Sequence, residues 1–382
     1  MNIATVASGS LTRPAGTERY HLSVCRELAR RGHRVAVVLA EEAGLATEWR
    51  AFAQDAVAAP RLLSEGHRVR GSLYDAVRLL SRSTRGRIDC LYVSHPSDVL
   101  PAAALALPRR APVVCHLHLP YFGGDSTAFR ASCRLVRRFV AVSQATAETW
   151  TAAPIARDRL RVVNNGVDLT AFVPASSLER QRLRERAGLS SCEPVIVYAG
   201  RLTPAKGVHV LVDAVARLAA KGLACRLLVA GEAADPEYLE TLRRSAGLLP
   251  VTWIGWSSEP ADIYRMADVV VLPSVWPEPF GMVLLEAMAC GTAVVASAVG
   301  GVPELLGGQF AELLVPPNDA AALAERLGAV LDGHKKRPDL GPSLRAHTED
   351  HFSLEQGAER LESVLLEAVS DRERGHSRVS AA

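Results

Sequence analysis

Lysine is scarce in this 382-residue sequence. Of its 44 basic residues only Lys206, Lys221, Lys335 and Lys336 are lysine, and the rest are arginine. With alanine abundant, that bias marks a GC-rich genome before it marks a function. Paired cysteines are missing too. The seven present (Cys25, Cys90, Cys115, Cys133, Cys192, Cys225 and Cys290) are scattered with no C-x-x-C. That spacing supports neither a disulfide framework nor a zinc site, and it predicts reduced thiols used as small core residues. No apolar run approaches the ~20 residues needed to cross a bilayer. The opening MNIATVASGS has neither a basic n-region nor a long apolar h-region, so a cytoplasmic protein is expected. Internal repeats and low-complexity domains are also lacking.

What is present is a globular composition, 48% apolar and 22% charged, with material for two or three domains. General disorder is thereby excluded. The net charge of +3 is unevenly divided. Residues 1–190 carry 27 Arg against 16 Asp and Glu, a balance of +11, while residues 191–382 carry 17 basic against 25 acidic, a balance of −8. Such asymmetry marks either an anionic partner for the first half or a solvated, arginine-rich surface. Nucleic acid is not indicated, because the basic half carries no RNA-recognition or zinc signature.

Residues 2–7 form a short apolar run that predicts a strand, followed by a glycine-containing loop over 8–17. At 18–31, Leu22, Cys25, Leu28 and Ala29 share a face at helical spacing, with Gly32 as the stop. Further strands are expected at 35–39, 90–93, 113–117, 138–142 and 161–163. Strands alternating with helices predict parallel βαβ units and a doubly wound sheet. Turn chemistry, Asn-Gly and then Pro, interrupts the pattern over 164–174. A second series then follows, with strands at 194–199, 226–230, 251–254, 269–272 and 293–296. The expected architecture is α/β, two Rossmann-like doubly wound parallel-sheet domains facing a central cleft, with ligands at the carboxyl ends of the strands. The expected division is 1–172 and 173–353. A helix over 354–370 places Leu354, Ala358, Leu361, Val364, Leu365 and Ala368 on one face, and the polar segment 371–382 is expected to be a disordered tail.

Two stretches carry chemistry. In PSVWPEPFGMVLLEAMACGTAVVASAV, residues 273–299, a buried strand gives way to a Pro- and Gly-rich loop and then a helix starting near Gly281. Glu278 lies in the loop and Glu286 on the helix. The helix N-terminus offers N–H groups and a positive dipole end suited to phosphate. The two carboxylates can accept hydroxyls of a sugar and of a ribose, although a strand–loop–helix with two solvated carboxylates also fits this stretch alone. In YAGRLTPAKG, residues 198–207, a strand ends at Gly200 and the loop carries Arg201 and Lys206. Arginine binds a diphosphate bidentately and lysine as a point charge, while two ordinary surface cations are the plainer reading.

Together these stretches resemble the retaining GT-B glycosyltransferases of family four (glycosyl transferases group 1). GRLTPAKG is followed about 70 residues later by PEPFGMVLLEAMACGTAVVAS. Matches also occur at Ala15-Gly16-Thr17-Glu18, PVVCHLH, AVSQATAE and NNGVD, so the resemblance spans nearly the whole chain. It implies that Arg201 and Lys206, leaving the strand at Gly200, hold the donor diphosphate and neutralise the leaving group. It further implies that Glu278 binds donor-sugar hydroxyls in a pocket shaped by Phe280 and Gly281. Met282, Val283 and Leu284 would form the phosphate-binding helix start, with Val283 and Leu284 as amide donors, and Glu286 would bind ribose. His118 would stand near the reaction centre, with His116 on the same strand as the less favoured candidate. Gly16 would lie in the loop that closes near phosphate and acceptor, although Ala15 stands where the family has its first glycine. The catalytic set is thus His118, Arg201, Lys206 and Glu278. No cofactor and no metal are implied, and no Asp-x-Asp pair stands at a strand end. The terminal helix would pack back on the first domain.

The implied reaction moves a sugar from a nucleotide-diphosphate donor, a UDP-hexose or UDP-N-acetylglucosamine by family habit, to an acceptor hydroxyl with retention. The acceptor would be set by first-domain loops around 9–17, 61–72 and 116–126. A small soluble acceptor, as in natural-product or aminoglycoside antibiotic biosynthesis in a bacterium, ranks ahead of a lipid-linked or polysaccharide acceptor met by a cytoplasmic enzyme peripheral to the inner membrane face. The basic balance suits a phosphorylated acceptor or an anionic membrane. A monomer or homodimer is expected. The competing readings are a GT-B sugar-nucleotide epimerase or hydrolase, a non-catalytic sugar-nucleotide sensor, and a dehydrogenase. The last is opposed by a first loop, ASGSLTRPAG, that lacks G-x-G-x-x-G.

Overall fold

The computed structural model describes residues 1–8, 14–40, 44–58, 87–123, 126–190, 193–333 and 337–380. They fall into two units, Met1–Gly166 with Leu354–Ala382, and Val167–Ser353.

The first unit is built on a seven-stranded sheet: β1 (Asn2–Ala7), β2 (Arg34–Leu39), β3 (Asp55–Ala58), β4 (Cys90–Val93), β5 (Val113–Leu117), β6 (Val136–Ala141) and β7 (Leu160–Val162). Their spatial order is β3-β2-β1-β4-β5-β6-β7, with every pairing parallel. β1 is flanked by β2 and β4, with Ile3 opposite Val35 on one side and Cys90 on the other. Strand order reverses between β1 and β4, which makes that edge the topological switch point. All of β4 and β5 is buried, as strands covered on both faces require. The helix Gly16–Arg30 buries Leu22, Val24, Cys25 and Leu28. The helix Leu354–Ser380 belongs to this unit and buries Ala358, Leu361, Leu365 and Ala368 completely.

Two expectations are corrected here. Helical structure continues to Ser380, so the segment read as a disordered tail is helical as far as it is described. Its first residues are held by charge, since Asp371 pairs with Arg138, with Arg137 at 3.7 Å and with Arg374 at 2.5 Å. The first unit also ends at Gly166 instead of 172. The physical reason is that the Val167 N–H donates to the Phe352 carbonyl at 2.9 Å and Val167 bridges Ser353, which ties the chain to the second unit from that residue on.

The second unit repeats the plan with six strands: β8 (Val195–Ala199), β9 (Arg226–Ala230), β10 (Val251–Gly255), β11 (Val269–Leu272), β12 (Ala293–Ser297) and β13 (Leu314–Val315). The order is β10-β9-β8-β11-β12-β13, again wholly parallel. Its switch point lies between β8 and β11. Asp268, just ahead of β11, accepts from Arg180 and Arg184 at 2.6 Å each and from the Val195 amide at 2.7 Å, locking the two central strands at their amino ends. Six of the cysteines are buried free thiols, as expected, and Cys192 lies outside the described residues. No helix among the described residues is long and apolar enough to cross a membrane.

Candidate active site

Because β8 and β11 are neighbours, the loops that leave their carboxyl ends are neighbours too. Arg201 and Lys206 lie in the first loop and Glu278 in the second. Gly207 makes their contact feasible. It sits at φ +68°, and a Cβ there would stand 1.9 Å from the Pro273 carbonyl oxygen, so a side chain would push the loops apart. The Val275 amide then donates to Ala205 at 3.0 Å across the junction. Gly300 does the same for Glu278, whose carbonyl oxygen would lie 2.0 Å from a Cβ at that position. The Gly301 amide donates to that carbonyl at 2.8 Å, so the backbone of Glu278 is pinned.

On this frame the Lys206 ammonium donates to Glu278 Oε1 at 2.6 Å. The Ser274 hydroxyl donates to the same oxygen. Lys206 Nζ also stands 5.3 Å from the Trp276 ring centroid, a cation–π distance. The Glu278 side chain is only 6% exposed and that of Lys206 18%, so each charge is the other's principal compensation. Removing one partner of such a pair leaves a buried uncompensated charge. Arg201 is exposed, and its carbonyl accepts from the Tyr198 hydroxyl at 2.7 Å. Burial pushes that phenol well above its usual range, which keeps it a donor. Gly200, between strand and cations, takes φ +148°.

The helix Met282–Ala289 starts from Gly281 at φ +108°. Its first amides have no intrahelical acceptor. Leu284, expected to donate to phosphate, instead donates to the Gly281 carbonyl at 3.0 Å. Met282 and Val283 are therefore the amides presented at the helix start. Phe280 is buried and lies edge-on to Phe352, 5.8 Å between centroids. Glu286 is half-buried, and its Oε2 accepts from the Tyr264 hydroxyl at 2.7 Å. Within this unit Lys206 and Glu278 are in contact, while Arg201 and Glu286 sit on the flanking elements.

In the first unit Gly16 opens the helix Gly16–Arg30, and the Ala15 amide donates to Glu18 at 3.0 Å. His118 follows β5 directly and is buried. Its ring lies 4.3 Å from that of His116 and 5.8 Å from Tyr20. His116 shares a hydrogen bond of 2.8 Å with the Tyr92 hydroxyl. His21 is held at both ring nitrogens, by Thr5 at 2.7 Å and Ser94 at 3.1 Å. Burial pushes His21 and His116 down to about 3. Burial, and then the neighbouring His116, His21 and His95, hold His118 well below its ordinary value, so the cluster is neutral at physiological pH. Nε2 of His116 and of His118 has no hydrogen-bond partner among the described residues.

Sequence reasoning saw His118 and His116 and missed His21. It also missed Asp98, which is buried ahead of the helix Val99–Ala106 with Oδ2 unpartnered among the described residues. Burial pushes its carboxyl up to about 6. Its place just beyond β4, at the switch point, was the available signal. Of the loops expected to set the acceptor, residues 9–13, 61–72 and 124–125 lie outside the described residues.

Comparison with known proteins gives matches in both units. The family model Glycosyltransferase Family 4 matches residues 14–171, and Glycosyl transferases group 1 matches residues 179–347. The chain is 33% identical over 317 residues to a D-inositol 3-phosphate glycosyltransferase 1 of Catenulispora acidiphila, covering 74% of this chain and 73% of that one. It is 38% identical over 225 residues to a D-inositol 3-phosphate glycosyltransferase of Xylanimonas cellulosilytica, covering 56% of this chain and 53% of that one, so the chain spans about half that relative's length. Among solved structures it is similar in fold to Anabaena Alr3699/HepE, crystallised with UDP and glucose. There the TM-score is 0.81 at 22% identity, covering 96% of this chain and 100% of that one.

Proposed function

From the premise that the chain belongs to the family 4, group 1 glycosyltransferases of GT-B fold, we propose that it transfers a sugar, with retention, from a uridine-diphosphate donor to a hydroxyl of a small soluble acceptor. The observation that carries this reading is the Lys206–Glu278 pair at 2.6 Å, placed where the loops of β8 and β11 meet. One partner is a phosphate-binding cation and the other a carboxylate suited to sugar hydroxyls, so leaving group and sugar are gripped by groups that already touch. A nucleoside diphosphate leaves as an anion while the sugar passes through an oxocarbenium-like state. Fixed positive charge on the leaving side is then the main catalytic need. Arg201, Lys206 and the Met282 and Val283 amides supply it without a metal, and Glu286 accepts the ribose hydroxyls. In the front-face course implied by the resemblance, the departing phosphate takes the acceptor's proton. His118, neutral, contributes a hydrogen bond and not a charge, and Gly16 keeps its place in the acceptor-side loop.

A phosphorylated polyol is the acceptor class we favour, because the arginine-rich first half and the names of the relatives point the same way. A natural-product acceptor in a bacterial antibiotic pathway belongs to the same class of small soluble hydroxyl compounds, and a lipid-linked or polysaccharide acceptor at a membrane surface is the alternative.

Thermal stability measured against UDP, GDP, ADP and TDP, with and without magnesium, tests the donor half of the reading. Bound ligand at a hundredfold excess over its Kd adds about 2.7 kcal/mol, and a metal-independent shift with UDP is expected. No shift with any of the four would remove the transferase reading. Lys206→Ala should lower kcat by about a hundredfold or more and also reduce Tm, since Glu278 loses its partner. Adding Glu278→Gln to that variant should recover the Tm and not the rate. A full rate in folded Lys206→Ala would take Lys206 out of the mechanism. Free sugar or an altered nucleotide sugar formed without acceptor would favour the hydrolase or epimerase.

A further inference from the structure

Glu286 does not stand alone. Its Oε2 accepts the hydroxyl of Tyr264 at 2.7 Å, from a side chain that is 1% exposed. Tyr264 belongs to the helix Pro260–Met266 and is fixed at both ends. Its carbonyl accepts the Thr292 hydroxyl at 2.9 Å and the Ala267 amide at 3.1 Å, and its ring lies 6.2 Å from Phe172. A buried phenol held this way cannot follow the carboxylate if the carboxylate turns. The orientation of Glu286 is therefore set by a neighbouring element before any ligand arrives. One carboxylate accepts about four hydrogen bonds, and a vicinal diol needs only two of them. Preorganisation of this kind acts on the ligand that uses the carboxylate and is silent toward one that does not.

We infer that Tyr264 is a positioning residue that makes the nucleotide site selective for ribonucleoside over deoxyribonucleoside diphosphates, by holding Glu286 in the plane that receives the ribose 2′- and 3′-hydroxyls. The inference rests on the proposed role of Glu286 as ribose ligand and adds the residue that orients it. It deepens the donor reading because deoxythymidine diphosphate sugars, which lack the 2′-hydroxyl, are thereby disfavoured. A site built to hydrogen-bond a substrate hydroxyl rejects the analogue that lacks it, because its own buried polar groups are left unpaired.

The test is calorimetric titration of the full chain with UDP, 2′-deoxy-UDP and 3′-deoxy-UDP. The wild-type protein should bind UDP about tenfold more tightly than 2′-deoxy-UDP. Tyr264→Phe, which removes one oxygen and keeps the ring, should reduce that ratio to about threefold or less by weakening UDP, with the Kd of the deoxy analogue unchanged within twofold. Glu286→Gln should also collapse the ratio. Adding Tyr264→Phe to Glu286→Gln should then do nothing more, because the phenol acts only through the carboxylate. An unchanged ratio in folded Tyr264→Phe overturns the inference, as does an equal loss of affinity for all three nucleotides. Should Tyr264→Phe not fold, a Glu286→Gln variant that keeps the full ratio overturns it equally. Wild-type protein that binds none of the three sinks the uridine-donor reading itself. Wild-type protein that binds all three alike leaves that reading standing and sinks only this inference.

Discussion

A carboxyl group buried without a counter-charge prefers to keep its proton, and Asp98 shows what that preference does to stability. Its folded value is pushed up to about 6, against about 3.9 for an unperturbed aspartate. Between those values the folded chain holds a proton that the unfolded chain has released. Asp98 therefore favours folding at acid pH, and that contribution is lost as pH rises from about 4 through 6. At neutral pH the charged form costs on the order of 3 kcal/mol relative to a group with no shift. Asp98→Asn should accordingly raise the denaturation midpoint at pH 7 and leave it nearly unchanged at pH 4. Equal effects at both values would mean that the carboxylate finds a partner when it ionises. Glu278 is the instructive contrast: equally buried, it has Lys206 at 2.6 Å and the Ser274 hydroxyl on the same oxygen. Asp98 has the hydroxyls of Ser97, at 3.4 Å, and Ser8 as hydrogen-bond partners; a carboxylate buried without a counter-charge is a candidate for function, and its position after β4 makes Asp98 the first residue to substitute in an acceptor screen.

The terminal helix Leu354–Ser380 explains part of the charge asymmetry without any external partner. Glu362 accepts from Arg31 and His33 at 2.7 Å each, and Glu367 from Arg161 at 2.5 Å and Arg138 at 3.1 Å. Arginines that count toward the surplus of the first half are thus answered from the far end of the chain. These pairs are partly solvated and hold less than the apolar face does. Leu361→Ala should cost about 2–5 kcal/mol, as fully buried leucines do, whereas Glu367→Gln should cost about 1 kcal/mol or less. Urea denaturation decides between them, and a larger effect from Glu367 would make the helix an electrostatic strap. The helix also shows what a sequence displays and what it hides. Its apolar face was legible as spacing, but its extent beyond 370 depends on Asp371 meeting Arg137 and Arg138 from β6, and no local pattern announces that. Strands at 2–7, 90–93, 113–117, 226–230 and 269–272 coincide with β1, β4, β5, β9 and β11, since runs buried on both faces of a parallel sheet are continuous apolar stretches. The edge strand β3 is Asp-Ala-Val-Ala and β13 only two residues long, too short to stand out from loop. In the site, Gly-rich strand ends exposed Arg201, Lys206 and Glu278. Ser274 and Tyr264 stayed hidden because each acts through a hydrogen bond that only the folded chain creates.

The two units of the chain carry different titration loads, and that difference should be visible when the protein is acidified. The first holds His21 and His116 buried and neutral, with values pushed down to about 3, and His118 depressed as well. The unfolded chain takes up protons at these positions below about 6.5 while the folded unit cannot. Stability present above that pH is thus lost progressively from about 6.5 down to about 3, at about 1.4 kcal/mol per pH unit for each imidazole. Asp98 works in the opposite sense between about 6 and 4, and offsets one imidazole at most. In the second unit burial holds His347 below its ordinary value, one imidazole against the three of the first unit, so its acid sensitivity should be smaller. Domains unfold as units, and calorimetry at pH 5 should therefore separate two transitions that lie closer together at pH 7.5, with the lower one belonging to the first unit. The nucleotide site proposed here lies on the loops of β8 and β11, so UDP added at pH 5 should raise the upper transition. If UDP instead raised only the acid-sensitive transition, the histidine-rich unit would be the one that binds nucleotide, and the assignment of donor and acceptor to the two sheets would have to be exchanged.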